Sequence, residues 1–268
     1  MGKVYFKIND KIVVDCLDSL SSVRGEKLVI VGGLAIQLHG REWSKYFRKT
    51  PDVDLLMVQN CDFDSFLREI YPDVSDNLKR EGYKTQPKRG RGNNAVKVMK
   101  NPNHEDSETF LMHWTKFSQN IYPVFFDYIS RQIYRSEEMP SPSGREKIRV
   151  AALEEIVPLK VQRIMRFGSD RESLVGPIYS SLVENAKKGN WGALAGIPLG
   201  DLGKGVERLQ NQLGDNSPYT EERFRTYKLS KDLYDLCFVS RIISDSVSPF
   251  DSDRYGENIH RILERDTQ

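Results

Sequence analysis

Residues 27–58 read KLVIVGGLAIQLHGREWSKYFRKTPDVDLLMV and carry the most specific pattern of the chain. Their apolar start, Lys27–Val31, is typical of a buried strand. Gly32 and Gly33 then allow a sharp turn with accessible backbone N–H groups, and the apolar run after them suits a short helix that stops at Gly40. A helix that begins at this turn would direct its free N–H groups at an anion, although a glycine pair can also serve only to bend the chain.

The second half of the stretch, Val53–Val58, is strand-like, with Pro51 tolerable before it. Asp52 and Asp54 lie two positions apart, so on a strand their side chains project to the same face. Two adjacent carboxylates repel each other unless a cation lies between them, and Mg²⁺ is commonly held by one or two carboxylates and substrate phosphates. The pattern predicts a metal–triphosphate site; the alternative is a solvated acidic pair at the start of a strand.

A third acidic residue, Asp127, lies in the apolar segment YPVFFDYIS of residues 122–130. Burial of an aspartate in a strand is costly unless it is paired, hydrogen-bonded or bound to a metal. Together with the pair upstream, Asp127 is interpreted as a further metal ligand. The alternative is a polar residue that caps the end of a strand.

The segments VGGLA (residues 31–35) and RKTPDVDL (residues 48–55), followed by the strand of Asp127, resemble the polymerase-β-like nucleotidyltransferase superfamily. The branch that they resemble most is the AbiEii-type branch, which includes abortive-infection and toxin–antitoxin nucleotidyltransferases. The resemblance implies an α+β fold in which a mixed-sheet catalytic domain precedes a mostly helical domain. For the toxin members it also implies a cognate inhibitor protein as a partner.

The resemblance also implies site residues. Asp52, Asp54 and Asp127 would be the catalytic residues and metal ligands, with Mg²⁺ or Mn²⁺ as the cofactor and a nucleoside triphosphate as the substrate. The residues that would contact the nucleotide lie in the glycine turn, the segment before the carboxylate pair and two later helices: Gly32, Gly33, Arg48, Thr50, Lys160, Arg166, Lys231 and Asp235.

The chain departs from the family pattern in two places. The first motif often has Ser after Gly, whereas this chain has Gly33 and therefore only backbone donors. The Lys/Arg helix and the later Lys-Asp helix usually lie close together, but residues 167–230 separate them here. This long spacer is interpreted as an excursion that carries acceptor specificity or a partner surface.

The helices that would carry Lys160 and Lys231 also have simpler interpretations. Lys160, Arg163 and Arg166 fall within an arc of about 120° on a helix, so they are expected to face outward, either over the cleft or only to solvent. The segment 231–243 is expected to form a helix that begins near Lys231, where its acidic residues would be stabilised by the helix dipole.

These parts predict transfer of a nucleotide from the triphosphate to an acceptor hydroxyl. Asp127 would bind a second metal or act as the general base, and Lys160 with Arg48 would neutralise the leaving pyrophosphate. Arg48 could instead hold the carboxylate strand through a salt bridge. A different class of function is a catalytically inactive, nucleotide-binding regulatory or interaction protein of the same fold.

The acceptor is left open among an RNA 3′ end (tRNA included), a protein hydroxyl and a small molecule such as an antibiotic. Residues 79–100 contain eight Lys or Arg and one Glu. A cationic segment of this kind could contact a triphosphate or an RNA backbone, or it could be a solvated hairpin. Tyr83 is its only aromatic residue, so a base-stacking platform is not predicted.

The whole chain of 268 residues has 40 basic and 38 acidic residues, a balance that implies no polyelectrolyte partner on its own. Isolated Cys residues, no apolar stretch of membrane-spanning length and no apolar signal core lead us to expect a cytoplasmic protein without a membrane partner. The segment 139–145 (MPSPSGR) is interpreted as a linker, which separates a catalytic domain at residues 1–140 from a helical domain at 146–268.

Overall fold

A computed structural model shows an α+β fold in which a mixed sheet is followed by a series of helices, as the sequence predicts. The chain divides into a sheet unit, residues 3–38 and 49–151, and a helical unit, residues 39–48 and 152–268. The structure describes residues 8, 10–21, 28–50, 52–57, 63–89, 94–100, 109–114, 135–168, 172–214, 221–245 and 249–266.

The sheet unit contains seven described strands: β1 (Leu28–Val31), β2 (Asp52–Met57), β3 (Tyr83–Lys88), β4 (Asn94–Lys100), β5 (Thr109–Trp114), β6 (Ser136–Pro140) and β7 (Lys147–Ala151). They form one sheet in the order β3-β4-β5-β2-β1-β7-β6. The pairs β1–β7 and β2–β5 are parallel, and the other neighbouring pairs are antiparallel. The predicted strands at 95–99 and 108–114 correspond to β4 and β5, whereas the predicted strand at 122–130 lies outside the described residues.

Four described helices belong to this unit: α1 (Lys11–Ser21), α2 (Gly32–His39), α3 (Phe63–Glu69) and α4 (Tyr71–Arg80), although the last residue of α2 already counts with the helical unit. Helix α2 is half-buried at Gly32 and buried from Gly33 to His39, as its apolar sequence GGLAIQLH leads one to expect, and it ends one residue before Gly40.

One face of the sheet is covered by α1 and α4. The hydroxyl groups of Tyr71 and Ser75 on α4 lie 2.8 and 2.7 Å from the hydroxyl of Thr85 on β3. The Tyr83 hydroxyl donates to Asp15 of α1 at 2.7 Å. The apolar residues of β2, β4 and β5 that share this face are buried: Val53, Leu55, Val96, Val98, Phe110 and Met112.

The helical unit contains a 3₁₀ helix (Arg41–Tyr46) and six described α-helices: α5 (Leu153–Gly168), α6 (Glu172–Lys187), α7 (Trp191–Ala195), α8 (Leu199–Gly214), α9 (Glu221–Ser244) and α10 (Ser252–Asp266). Helices α6, α7 and α8 therefore occupy most of the spacer at residues 167–230. In the described part of the chain, no helix is both long and apolar enough to cross a membrane.

The segment 39–48 packs on α9 within the helical unit. A Cβ atom on Gly40 would lie 2.6 Å from Cζ of Phe238, so only glycine allows this approach. Phe47 packs edge-on against the Phe238 ring, with 6.0 Å between the centroids. The Tyr234 hydroxyl donates to the carbonyl oxygen of Tyr46. These contacts bring the residue that follows Phe47 to the middle of α9.

Two predictions about element boundaries are wrong. Met139 and Pro140 of the predicted linker lie in β6, and residues 141–146 form the turn of the antiparallel β6–β7 hairpin; the proline- and serine-rich composition marks a turn rather than a linker. The helix expected from Lys231 begins at Glu221, so Lys231 lies in the middle of α9 and the capping explanation does not apply.

Candidate functional site

The glycine turn lies against the carboxylate of Asp54. Because β1 and β2 are antiparallel and Val31 is paired with Asp54, the residue after β1 lies beside the start of β2. Gly32 has φ +73°, a conformation that L-residues adopt at a cost. A Cβ atom at this position would lie 2.2 Å from Oδ2 of Asp54. Glycine is therefore favoured here by the backbone, and a Cβ atom at this position would displace the Asp54 carboxylate.

This contact has an electrostatic consequence. Gly32 is the first residue of α2, whose N-terminal N–H groups and dipole favour negative charge. The Asp54 carboxylate already lies at this turn, so an incoming phosphate would meet like charge. Phosphate and carboxylate can share the turn only if a cation lies between them, and divalent cations with oxygen ligands serve that role.

Asp52 lies on the same face of β2 as Asp54, as the strand period predicts. The hydroxyl of Thr50 lies 3.0 Å from Oδ1 of Asp52 and 3.1 Å from its carbonyl oxygen, so it can donate its hydrogen to either. Thr50 is buried, whereas Asp52 and Asp54 are half-buried. Thr50 thus orients the first carboxylate, and solvent still reaches both acids.

The two carboxylates fit a divalent cation that is shared with substrate phosphates. In the described part of the chain, no group of three or more His, Cys, Asp or Glu side chains is arranged to hold a metal ion by itself. The third predicted acid, Asp127, lies outside the described residues. A pair of carboxylates is the usual protein contribution where phosphates and water complete the shell of Mg²⁺.

The helical unit contains a second charged cluster, which we call the buried ion network. The Arg48 guanidinium donates to both oxygens of Asp235, Nε to Oδ1 at 2.6 Å and Nη2 to Oδ2 at 2.8 Å. Nζ of Lys160 donates to Oδ2 of Asp235 at 2.5 Å and to Oδ1 of Asp232 at 3.0 Å. Arg163 donates to Asp232 through Nε at 2.9 Å. The network joins the end of the segment 39–48 to α5 and α9.

The carboxylates of the network stay ionised. Burial by itself raises the pKa of Asp235, but Arg48 and Lys160 outweigh burial and bring the pKa down to about 2. Burial also opposes ionisation of Asp232, where Arg163 and Lys160 again outweigh it and lower the pKa. Side chains of Arg48 and Asp235 are each only 4% exposed, so these are interior ion pairs.

One sequence prediction about these residues is wrong, and one contact was not predicted. Lys160 does not face outward, because its partners on α9 hold it in the interior with an exposure of 3%. Arg48 is paired with Asp235 through both oxygens of its carboxylate, a contact that was not predicted. The nucleotide-binding roles of Arg48, Lys160, Lys231 and Asp235 stay predictions, as does that of Arg166, whose side chain lies outside the described residues.

Asp232 is a member of the network that was not predicted from the sequence. A signal for it exists, because two basic residues, Lys160 and Arg163, and two acidic residues, Asp232 and Asp235, recur with the same spacing of three on two otherwise apolar helices. Matching spacings of opposite charge on apolar helices are compatible with two helices that pair through their polar positions.

Comparisons with known proteins give few matches. No family model matches the chain, and no curated protein matches it. Among solved structures, the chain is similar to an antigenic nucleotidyltransferase-like protein from Paracoccidioides brasiliensis, with a TM-score of 0.38 and 16% sequence identity. The match covers 63% of this chain and 72% of that one.

Proposed function

We propose that this protein is a metal-dependent nucleotidyltransferase that moves a nucleoside monophosphate from a nucleoside triphosphate to an acceptor hydroxyl. The observation that carries the proposal is the contact of the Asp54 carboxylate with Gly32, at the first turn of α2, with Asp52 on the same strand face. The turn favours negative charge, but the Asp54 carboxylate already lies there. A phosphate can therefore bind beside it only if a cation lies between the two groups.

In this proposal Asp52 and Asp54 hold Mg²⁺, and the backbone of Gly32 and Gly33 faces the phosphates. The metal would supply charge neutralisation and polarisation of the phosphoryl oxygens. Thr50 keeps the Asp52 carboxylate oriented through its hydroxyl. Transfer of a phosphorus group needs little covalent help from the protein, so that positioning and charge supply most of the rate enhancement.

The reaction balances without a further reactant. The acceptor oxygen attacks the α-phosphorus and forms a new P–O bond, while the bond from the α-phosphorus to the bridging oxygen of the β-phosphate breaks. Pyrophosphate leaves with that electron pair. The proton of the acceptor hydroxyl passes to a carboxylate, a role that the sequence predicts for Asp127.

The test is incubation with each of the four nucleoside triphosphates labelled at the α-phosphorus, with Mg²⁺ and either total RNA or the protein alone. We expect label to enter an acceptor in the wild type and pyrophosphate to be released in equal amount. Asp54→Asn should lower the rate about thousandfold, because loss of a metal ligand removes several kcal/mol of transition-state stabilisation.

Asp76→Asn, at an exposed aspartate on α4 of the same unit, is the matched control and should keep the wild-type rate. Full turnover in Asp54→Asn would overturn the assignment of the site. Tight nucleotide binding by the wild type with label in neither RNA nor protein would instead favour a regulatory protein that binds nucleotide without turnover.

A further inference from the structure

The buried ion network lies very close in the chain to the first carboxylate of the candidate site. Arg48 is the last residue of the segment 39–48, and Lys49 begins the second part of the sheet unit. Thr50, whose hydroxyl binds Asp52, comes directly after Lys49. Only one residue therefore separates a member of the network from the residue that orients Asp52.

The sheet holds Asp52 less firmly than it holds Asp54. Asp54 is paired on both sides, with Val31 of β1 and with position 113 of β5. Asp52 is the first residue of β2 and is paired with Leu111 of β5, whereas the described pairing of β2 with β1 ends at Asp54. The ends of a strand open more readily than its interior, so backbone pairing alone fixes Asp52 less well.

The position of Asp52 matters for a cation that the two carboxylates share. Mg²⁺ requires nearly octahedral geometry with ligand distances of about 2.0–2.1 Å. A displacement of about 1 Å in an active site can lower a rate about a hundredfold. A ligand at the end of a strand therefore needs a further contact that fixes it.

Thr50 supplies that contact. Its hydroxyl lies 3.0 Å from Oδ1 of Asp52 and 3.1 Å from its carbonyl oxygen, and Thr50 itself is buried. The hydroxyl can hold Asp52 in place only if the backbone of Thr50 is itself fixed. Two residues of extended chain span at most about 7 Å, so a fixed Arg48 limits the positions that Thr50 can take.

Arg48 is fixed by the geometry of its contacts as well as by its charge. Its planar guanidinium donates to both oxygens of Asp235, at 2.6 and 2.8 Å, which the ammonium group of a lysine cannot reproduce. Lys160 of α5 donates to the same carboxylate at 2.5 Å. Asp235 of α9 is thereby held from two sides, and the chain after Arg48 begins from a fixed point.

We propose that Arg48 is a positioning residue, which Asp235 holds in the helical unit and which holds Asp52 in place through Thr50. This role rests on the proposed function, because Asp52 is a ligand of the proposed metal. In this role Arg48 contacts neither the metal nor the triphosphate. Its loss should weaken the use of Mg²⁺, an effect that a loss of stability alone does not produce.

The experiment compares T50V, R48M/D235L and the variant that combines all three substitutions. R48M/D235L removes both charges of the pair and leaves neither of them buried alone. T50V and R48M/D235L should each lower the rate of nucleotide transfer about tenfold and raise the Mg²⁺ concentration for half-maximal rate about tenfold. The combined variant should be no slower than about the slower of the two, because both changes act on Asp52.

Losses that multiply to about a hundredfold in the combined variant would overturn the inference, because Arg48 and Thr50 would then act separately. So would a higher KM for the nucleotide in R48M/D235L with an unchanged dependence on Mg²⁺, since that result indicates a contact with the nucleotide. If R48M/D235L does not fold, R48K takes its place, because lysine keeps the charge and loses the two-oxygen contact.

The matched control is a second ion pair of the helical unit. Glu155 of α5 and Arg254 of α10 lie 2.5 Å apart, with side-chain exposures of 0% and 21%. E155L/R254M should leave the rate and the Mg²⁺ dependence unchanged at a temperature where urea denaturation shows the protein to be folded. An equal loss of rate in this variant would overturn the inference, because any disturbance of the helical unit would then have the same effect.

Hydrogen exchange measured by mass spectrometry distinguishes failure of the inference from failure of the proposed function. In R48M/D235L, peptides that contain residues 49–55 should exchange about tenfold faster than in the wild type, and in E155L/R254M they should match it. Unchanged exchange in R48M/D235L would overturn the inference whatever the rate of transfer. Faster exchange, together with a wild type that transfers no nucleotide, would overturn the proposed function and leave the hold of Arg48 on Asp52 intact.

Discussion

Gly32 connects the backbone of the glycine turn to the chemistry of the carboxylates. Two independent features favour glycine at this position. Its φ is +73°, and a Cβ atom would lie 2.2 Å from Oδ2 of Asp54. The sequence predicts the turn and places Asp52 and Asp54 on one face, because both follow from local conformation and from strand period. It could not predict the contact with Asp54, which depends on the register of β1 against β2.

A comparison of Gly32→Ala with Gly144→Ala separates the effect of the backbone conformation from the effect of the contact with Asp54. Gly144, in the β6–β7 turn, has a nearly identical φ of +72°, and a methyl group added there would meet nothing within 4 Å. Each substitution should cost about 1–2 kcal/mol of stability from the left-handed backbone. Only Gly32→Ala should also displace the Asp54 carboxylate and lower nucleotide transfer, by about tenfold or more.

The measurements are the free energy of unfolding from urea denaturation and the rate of transfer at saturating nucleotide. Similar stability losses with a selective loss of activity in Gly32→Ala are expected. Equal activity in the two variants would mean that the contact between residue 32 and Asp54 has no role in the reaction.

At the scale of elements, the buried ion network joins α5, α9 and the segment 39–48. Helical periodicity predicts that charged residues of α5 face solvent, and for Lys160 this prediction is wrong because its partners are 72 and 75 residues away on another helix. Periodicity within one helix contains no information about charges on a second helix. The burial of Arg48 could not be predicted from its local sequence either, because its partner Asp235 is distant in the chain.

The buried ion network makes the stability of the folded state depend on pH. The pKa of Asp235 falls from 3.8 to about 2 on folding, so its ionised form stabilises the folded state above about pH 4, and this contribution is lost as the pH falls through about 2. Asp235→Asn removes one charge of a buried pair and should cost about 3–5 kcal/mol at neutral pH. It should also flatten the decline of stability between pH 4 and pH 2.

Urea denaturation as a function of pH provides the measurement. Asp201→Asn on α8, where the side chain is 87% exposed, is the control and should leave the pH profile unchanged. The double variant Arg48→Met/Asp235→Leu removes both members of the pair and should recover much of the stability that Asp235→Asn loses. If Asp235→Asn is as stable as the wild type, the ion pair does not hold these elements together.

At the scale of the whole molecule, the order of the elements could be predicted from the sequence, but the boundary between the sheet unit and the helical unit could not. Hydrophobic periodicity predicts the strand, turn, helix and second strand of residues 28–57, and it predicts the helices after β7. The structure ends the sheet unit at Ala151, after the β6–β7 hairpin, and assigns residues 39–48 to the helical unit. Both features depend on pairing between distant segments, which the composition of residues 139–145 cannot reveal.

The central claim is that Asp52, Asp54 and the turn at Gly32 hold a metal–triphosphate complex. The most direct test is electron paramagnetic resonance of Mn²⁺, titrated into the protein with a non-hydrolysable nucleoside triphosphate. The wild type should bind the Mn²⁺–nucleotide complex, Asp54→Asn should bind it at least about tenfold more weakly because a direct ligand is lost, and Asp76→Asn should match the wild type. Equal affinity in Asp54→Asn and the wild type would contradict the claim.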